Sequence, residues 1–290
     1  MAIMVLDIGG TAIKSALYRD NTLTDIRETP TQAAQGGIHV MNRVKEIIRE
    51  YQQVYSFDRI GISTAGQVNP VRGEIIYANE NIPGYTGMKI KEMMETEFHV
   101  PTNVENDVNA AAIGEAAFGA GRQHQNFVCL TYGTGVGGAI FMDGKLYTGS
   151  SYSAGVFGAM VIHPEDRVLG RDMFTGCYEK YASVTALVNS ARRLDASLTS
   201  GRIIFGRLDE PDIKTLVDRW ILEIVYGLTT VIHMLNPGCV ILGGGVMEQS
   251  YVLERLKEQL YQHIMPSYHH VVIEKAALGN RAGMLGAAVL

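Results

Sequence analysis

The chain contains the same supersecondary unit twice: an apolar strand, a turn rich in glycine and a second strand. The first copy is IMVL followed by DIGGTAIKSALY, over residues 3–18, and the second is FVCLTYGTGVGGAIFMDGKL, over residues 127–146. In the first copy Ile13, Ser15 and Leu17 alternate with Lys14, Ala16 and Tyr18, a period of two that predicts a strand where a helix would need a period near 3.6. In the second, a strand over 127–132 runs into Gly133-Thr134-Gly135-Val136-Gly137-Gly138, followed by a return strand over 139–142 and a turn at Asp143-Gly144. A chain built this way is expected to be an internally duplicated α/β fold whose halves each present one glycine turn to a shared cleft.

The residues after the glycines decide the kind of turn. A Walker loop ends in Gly-Lys-Ser/Thr and opens a helix, and the dinucleotide fingerprint stands between a strand and a helix. Neither spacing occurs, so the first glycine pair reads as a hairpin. There Gly9 and Gly10 can take positive φ and turn N–H groups toward an anion, Thr11 adds a hydroxyl and Lys14 a charge. Asp7 ends the strand, where its carboxylate can hold Mg²⁺ directly or through water. Taken alone, the motif reads equally well as an ordinary tight hairpin. A third run, Gly243-Gly244-Gly245, comes after the buried strand CVIL and precedes a helical pattern over 250–263, where the backbone can approach a flat ligand such as adenine.

Composition excludes several other uses. At 290 residues, 47% of them hydrophobic, the chain can bury a sizeable core and is expected to make two domains. A formal charge of −5 supplies no basic field for a nucleic acid or an anionic membrane surface. No apolar run reaches the ~18 residues that span a bilayer, and the first residues lack a signal-peptide pattern, so a cytoplasmic location is expected. Cys129, Cys177 and Cys239 are widely spaced and read as reduced core thiols.

The rest of the chain fills in an α/β pattern. Ile38, Met41, Val44, Ile48 and Tyr51 define one apolar helix face, RIGIST is a short strand, and 89–98 is helical. PTNVENDVNAAAIGEAAFGAG reads as strand, turn and helix, with Asn106 and Asp107 where the helix begins; a side chain there caps the helix or faces a cleft at the carboxyl end of the strand. A long helix over 211–236 closes at Pro237-Gly238, and RAGMLGAAVL is a short terminal helix.

In their order and spacing, DIGGTAIK, GISTAGQVN, NIPGYTG, VENDVNAAAIGE, LTYGTGVGGAI, GCYEKYAS, VILGGGV and AGMLGAA resemble the motifs of the ROK sugar kinases (repressor, open reading frame, kinase) along nearly the whole chain. The resemblance implies an actin-like fold of the actin, hexokinase and Hsp70 type, with two RNase H-like domains closing on ATP and a sugar. The motif repeat places the domains at 1–118, onto which the helix at 280–290 packs, and at 119–279. By the same resemblance Asp7, Gly9, Gly10, Thr11 and Lys14 form the first phosphate element, Gly133, Thr134, Gly135, Gly137 and Gly138 the second, and Gly243, Gly244 and Gly245 line the adenosine side. Asp107 is implied as the base that takes the proton of a sugar hydroxyl, usually that of C6, with Asn106 fixing a neighbouring hydroxyl. Ala65, Gly66, Asn81 and Glu179 are the implied sugar contacts. ATP and Mg²⁺, the latter with Asp7, are the implied cofactors, and a homodimer is the family precedent.

The departures from the family pattern bear on the substrate. Where the family commonly has Gly-Glu-[Ile/Phe]-Gly-His, this chain has Gly155-Val156-Phe157-Gly158-Ala159, so a carboxylate and an imidazole that bind sugar are missing. The zinc loop C-x-C-G-x-x-G-C aligns with Gly170-Arg171-Asp172-Met173-Phe174-Thr175-Gly176-Cys177, in which only Cys177 remains. One thiolate cannot hold a structural zinc, so none is expected. The loop from His163 to Gly176 must then be ordered otherwise, with Met173 and Phe174 as apolar anchors and His163 a surface residue. Zinc-free members with the GEIIYAN and IPGY segments resemble Gram-positive N-acetylmannosamine kinases, whose axial acetamido group would find room beside Val156 and Ala159. A glucokinase or a β-glucoside kinase is the alternative within the family. From other classes, the DNA-binding repressors carry a helix-turn-helix ahead of the first motif, where only six residues precede Asp7; a sugar-binding regulator without catalysis would leave Asp107 and both glycine turns unexplained.

Overall fold

The computed structural model describes residues 2–170 and 172–290; Arg171, which stands between the two positions aligned with missing zinc ligands, lies outside them. The backbone divides into two compact units. The first comprises Met1–Gln123, Leu146–Ala154 and Ala277–Leu290, and the second His124–Lys145 and Gly155–Ala276. The division thus falls later than the sequence places it, and the segment 146–154 belongs to the first unit, not the second. No helix among the described residues is long and apolar enough to cross a membrane.

The first unit holds β1 (Ile3–Ile8), β2 (Ala12–Arg19), β3 (Thr22–Pro30), α1 (Gly37–Gln52), β4 (Arg59–Thr64), β5 (Gln67–Asn69), β6 (Glu74–Tyr77), α2 (Ile90–Phe98), β7 (Thr102–Asn106) and α3 (Asp107–Phe118). The second begins with β8 (Phe127–Tyr132) and β9 (Val136–Met142), and β10 (Lys145–Tyr147) carries the chain across the boundary. Next come α4 (Glu179–Ala182), α5 (Val184–Leu194), α6 (Gly201–Phe205), α7 (Pro211–Leu235), β11 (Cys239–Gly243), α8 (Ser250–His263) and β12 (Val272–Lys275), before α9 (Ala282–Ala287) returns to the first unit.

The duplication is visible in the sheets. In the first unit β2, β1, β4 and β7 lie side by side, with β1 antiparallel to β2 and parallel to β4, and β4 parallel to β7. In the second, β9, β8, β11 and β12 repeat that order and those directions. The alternation of β1 and β2 serves two cores, because both faces of the sheet are covered. Met4, Leu6, Ile8, Ile13 and Leu17 enter a cluster with α1 and α2, whereas Ile3, Val5, Ala16 and Tyr18 pack with Met284, Leu285 and Ala288 at the C-terminus. On α1 the buried face is Val40, Met41, Val44, Ile47, Ile48 and Tyr51; Ile38, expected on it, is 71% exposed because it lies in the first turn, off that stripe.

Short α9 covers its face of the first sheet by close approach. A Cβ on Gly286 would overlap the Ala110 carbonyl of α3, and one on Gly61 of β4 would overlap the Ala287 carbonyl. The buried carboxylate of Glu115 on α3 gathers the chain beside this contact, accepting from Ala120 N–H at 2.8 Å, Ala277 N–H at 3.1 Å and Leu278 N–H at 2.9 Å. The packing leaves no room for added volume. Gly286→Ala is expected to lower stability by about 1–3 kcal/mol, as overpacking of a filled interior does, and a thermal melt compared with that of the parent checks it.

Candidate active site

Three parallel strands of the first unit end together. The register aligns Asp7 with Ser63 and Ser63 with Glu105, and one step on it aligns Ile8, Thr64 and Asn106, so side chains from separate parts of the sequence meet at the carboxyl edge of the sheet. The Ser63 hydroxyl donates to Asp7 Oδ1 at 2.7 Å, and Lys14, opposite Asp7 in the antiparallel pair, brings Nζ within 3.6 Å of Oδ2.

The hairpin beyond Asp7 closes without the conformation expected of it. Neither Gly9 nor Gly10 is among the residues with positive φ. The turn is instead pinned by Gly9 N–H to the Ala12 carbonyl at 3.0 Å and, from beyond β3, by Thr31: its hydroxyl donates to the Gly9 carbonyl at 2.7 Å and its N–H to the Thr11 carbonyl at 3.0 Å. These bonds occupy carbonyls. Among the described residues no group accepts from the N–H of Gly10 or Thr11, and a Cβ on Gly10 would meet nothing within 4 Å. Gly10 therefore leaves space for a ligand to reach the backbone. Thr31 and Ser63, which the sequence did not single out, both support this site; Ser63 lies within the GISTAGQVN segment, while Thr31 carries no signal.

The start of α3 shows the capping role directly. Asn106 is the N-cap: its side-chain oxygen accepts from Val108 N–H at 3.0 Å and Asn109 N–H at 3.1 Å. Its amide group donates at 2.8 Å to the Gly66 carbonyl and at 2.8 Å to Asp107 Oδ1. That exhausts what an amide side chain can give or accept, so Asn106 positions Asp107 and Gly66 where the family resemblance had it hold a sugar hydroxyl. Asp107 Oδ1 also accepts from Val108 N–H at 2.9 Å, which leaves Oδ2 for a substrate. Burial, and next the charge of Asp7, push the Asp107 carboxyl up to about 6. The buried Tyr85 hydroxyl, 2.7 Å from Thr64 Oγ1, anchors the NIPGYTG loop, on which Asn81 is exposed. Ala65 donates its N–H to the Ile8 carbonyl at 3.2 Å, and Gly66 takes φ +97°.

In the second unit the glycine turn is shorter than its sequence suggests. Gly137 and Gly138 lie inside β9, paired with Thr131 and Leu130. The Cβ position of Gly138 is filled by Phe157, so packing, not a phosphate, accounts for that glycine. The turn proper is Gly133–Gly135, and the N-terminus of α5 is fastened to its carbonyls: Val184 N–H donates to Gly133 at 2.9 Å and the Thr185 hydroxyl to Thr134 at 2.7 Å. As in the first turn, two neighbouring N–H groups, here those of Thr134 and Gly135, have no acceptor among the described residues. Glu179 supports this turn: its Oε2 accepts from the buried Val136 N–H at 3.0 Å, against the space left by Gly135. A cavity of about 700 Å³ opens beside the turn, lined by Gly133, Thr134, Thr185, Val188, Phe205 and Gly245 among others. Of the third glycine run only Gly245 reaches it, whereas Gly244, at φ +104°, is there because any side chain would overlap the Tyr132 carbonyl.

The loop aligned with the zinc motif is ordered by polar contacts and not by the apolar anchors expected. Met173 is 67% exposed and Phe174 only half-buried. Arg167 donates to the Met173 carbonyl at 2.9 Å, the Thr175 carbonyl at 3.2 Å and Cys177 Sγ at 3.1 Å. His163 lies 2.9 Å from both Glu165 and Glu223; burial opposes its protonation, but these two carboxylates outweigh that and raise its pKa.

The model of the ROK family matches residues 3–290. The chain belongs to the ROK family. A curated relative of this ROK chain, the β-glucoside kinase of Listeria innocua, is 31% identical over 298 residues that cover 99% of the chain and 96% of the relative. Among solved structures, a proposed N-acetylmannosamine kinase from Listeria monocytogenes superposes with a TM-score of 0.89 at 27% identity, covering 100% of this chain and 98% of that one. A ROK glucokinase from Streptomyces griseus, solved with glucose and AMPPNP, gives 0.86 at 26%, with the same coverage. The ROK chain accordingly has the actin-like ATPase fold.

Two substitutions separate the roles of the turns. Glu179→Ala leaves the buried Val136 N–H without an acceptor and is expected to cost about 1–3 kcal/mol of stability, together with weaker nucleotide binding by calorimetry. Gly10→Val meets open space and should leave the melting temperature unchanged while weakening nucleotide triphosphate binding at least ~10-fold, through the side chain alone.

Proposed function

We propose that this ROK chain is an ATP-dependent sugar kinase that transfers the γ-phosphate to the C6 hydroxyl of a hexose or N-acetylhexosamine, with N-acetylmannosamine the favoured substrate. The observation that carries the proposal is Asp107, whose carboxyl is raised to about 6 by burial and the charge of Asp7, while its hydrogen bonds from Asn106 and Val108 both fall on Oδ1. A base of that pKa is ionised at neutral pH yet basic enough to take a hydroxyl proton as the oxygen attacks, an effect worth ~10² to 10⁴ in rate. The proton passes to Asp107 Oδ2, the sugar oxygen bonds to the γ-phosphorus, and the bond to the bridging oxygen breaks to release ADP. The free N–H groups of Gly10, Thr11, Thr134 and Gly135 are the donors suited to phosphate oxygens, and the cavity beside Gly133 and Gly245 suits the nucleoside. Asp7 fits Mg²⁺ as an oxygen ligand, its Oδ2 having Lys14 Nζ at 3.6 Å; bound with ATP, the ion would neutralise charge on the phosphates.

The sugar assignment rests on Val156 and Ala159, both exposed and short on polar atoms, where the family commonly places a carboxylate and an imidazole. The likeness to the Listeria monocytogenes structure supports it, and that to the β-glucoside kinase favours a glucoside as the second reading. A panel of hexoses, N-acetylhexosamines and cellobiose, scored for sugar-dependent ADP release, tests both; release with none of them would leave a binding protein.

Asp107→Asn is expected to lower turnover at least ~10²-fold, and the parent kcat/KM should fall with acid through a pKa of about 6. Because the folded pKa lies above the ordinary 3.8, the native chain holds the extra proton between these values and loses stability as pH rises through that window. The same variant should therefore melt no lower than the parent at pH 8. Near-normal turnover would remove Asp107 from the chemistry.

A further inference from the structure

Toward the amino end of β8 and β11 in the second sheet, three side chains with metal-binding atoms come together. His124 lies just before β8, Cys239 begins β11 and Glu274 stands in β12, and one ligand atom of each lies within 4.8 Å of the others. Cys239 is fully buried, while His124 and Glu274 are partly open to solvent, which leaves a way in. His124 Nε2 is 3.7 Å from Glu274 Oε1, too far for a hydrogen bond. Two donors on one tetrahedral zinc ion, with bonds of about 2.0–2.3 Å, stand about 3.3–3.7 Å apart. Among the described residues none of the three side chains has a hydrogen-bond partner. An imidazole, a thiol and a carboxylate so spaced are a borderline-soft donor set with a fourth position left for water.

We propose that His124, Cys239 and Glu274 bind a divalent transition-metal ion of the zinc type, which ties the segment entering the second unit to β11 and β12. On binding, the Cys239 S–H bond breaks, its proton goes to solvent and the sulfur bonds to the metal. Cys239 and Gly243 are the two ends of β11, about 13 Å apart at about 3.3 Å per residue, so an ion on the Cys239 sulfur would act on stability, not on the transferred phosphate.

Metal-stripped, fully reduced whole chain titrated with Co²⁺ tests this. One equivalent should produce a thiolate-to-cobalt charge-transfer band in the near ultraviolet, and Zn²⁺ should displace it and raise the melting temperature. His124→Gln and Glu274→Gln, at partly exposed positions, should fold normally by circular dichroism and bind Co²⁺ at least ~10-fold more weakly. Cys239→Ala should abolish the band, and Cys177→Ala should keep it. No band at millimolar Co²⁺, a band that survives Cys239→Ala, or unchanged affinity in both the His124 and Glu274 variants would overturn the proposal. Should Cys239→Ala fail to fold, the other two variants decide the outcome.

Discussion

The side-chain amide of Asn106 has no bonding capacity to spare. Its oxygen ends two N–H groups of α3, and its nitrogen holds the Gly66 carbonyl and the Asp107 carboxylate. Helix start, neighbouring turn and the Asp107 carboxylate are thus fixed by one planar group, and none can shift without leaving a polar atom unpaired. Burial, and next the charge of Asp7, raise the pKa of the carboxyl so held. Asp7 in turn keeps its orientation through Ser63 and Lys14, which the pairing of β1 with its two neighbours brings to it.

Much of this was legible in the chain, and what was not has physical causes. The period of two in AIKSALY describes β2 correctly, and the Asn-Asp pair after a short strand marks the start of α3. The glycines misled where their purpose is packing. A glycine signals only that no Cβ fits, and Gly138 against Phe157 looks the same in sequence as Gly10 before open space. The walls of the cavity had no signal: Val188 and Phe205 are residues that any helix carries toward a core. Ile38 shows the opposite error, since an apolar residue in a first turn can lie off the stripe that its helix buries.

The loop over 163–176 shows how the same backbone problem has more than one solution. Burial of Met173 and Phe174 was the simple expectation, but a loop this polar has many carbonyls to satisfy, and burial satisfies none of them. The Arg167 guanidinium, with several donors in one rigid plane, gathers two carbonyls and the Cys177 sulfur at once. Asp172 and Lys180 at 2.8 Å, and the hydroxyl of Tyr181 against Asp166, tie down its flanks. Glu179, which lies where this loop rejoins the helices, then has one oxygen committed to the glycine turn, so the loop and the turn share a support.

The first unit is assembled from pieces that lie far apart in the chain. Ile3, Val5, Ala16 and Tyr18, among the earliest residues made, have their cover in Met284, Leu285 and Ala288, and Glu115 takes N–H groups from Ala277 and Leu278. During synthesis every residue of the second unit must therefore leave the ribosome before the first can finish its core. The N-terminal half waits with one sheet face uncovered, a surface for a chaperone to hold, while the later half, continuous but for one short excursion, has all it needs to fold ahead of it.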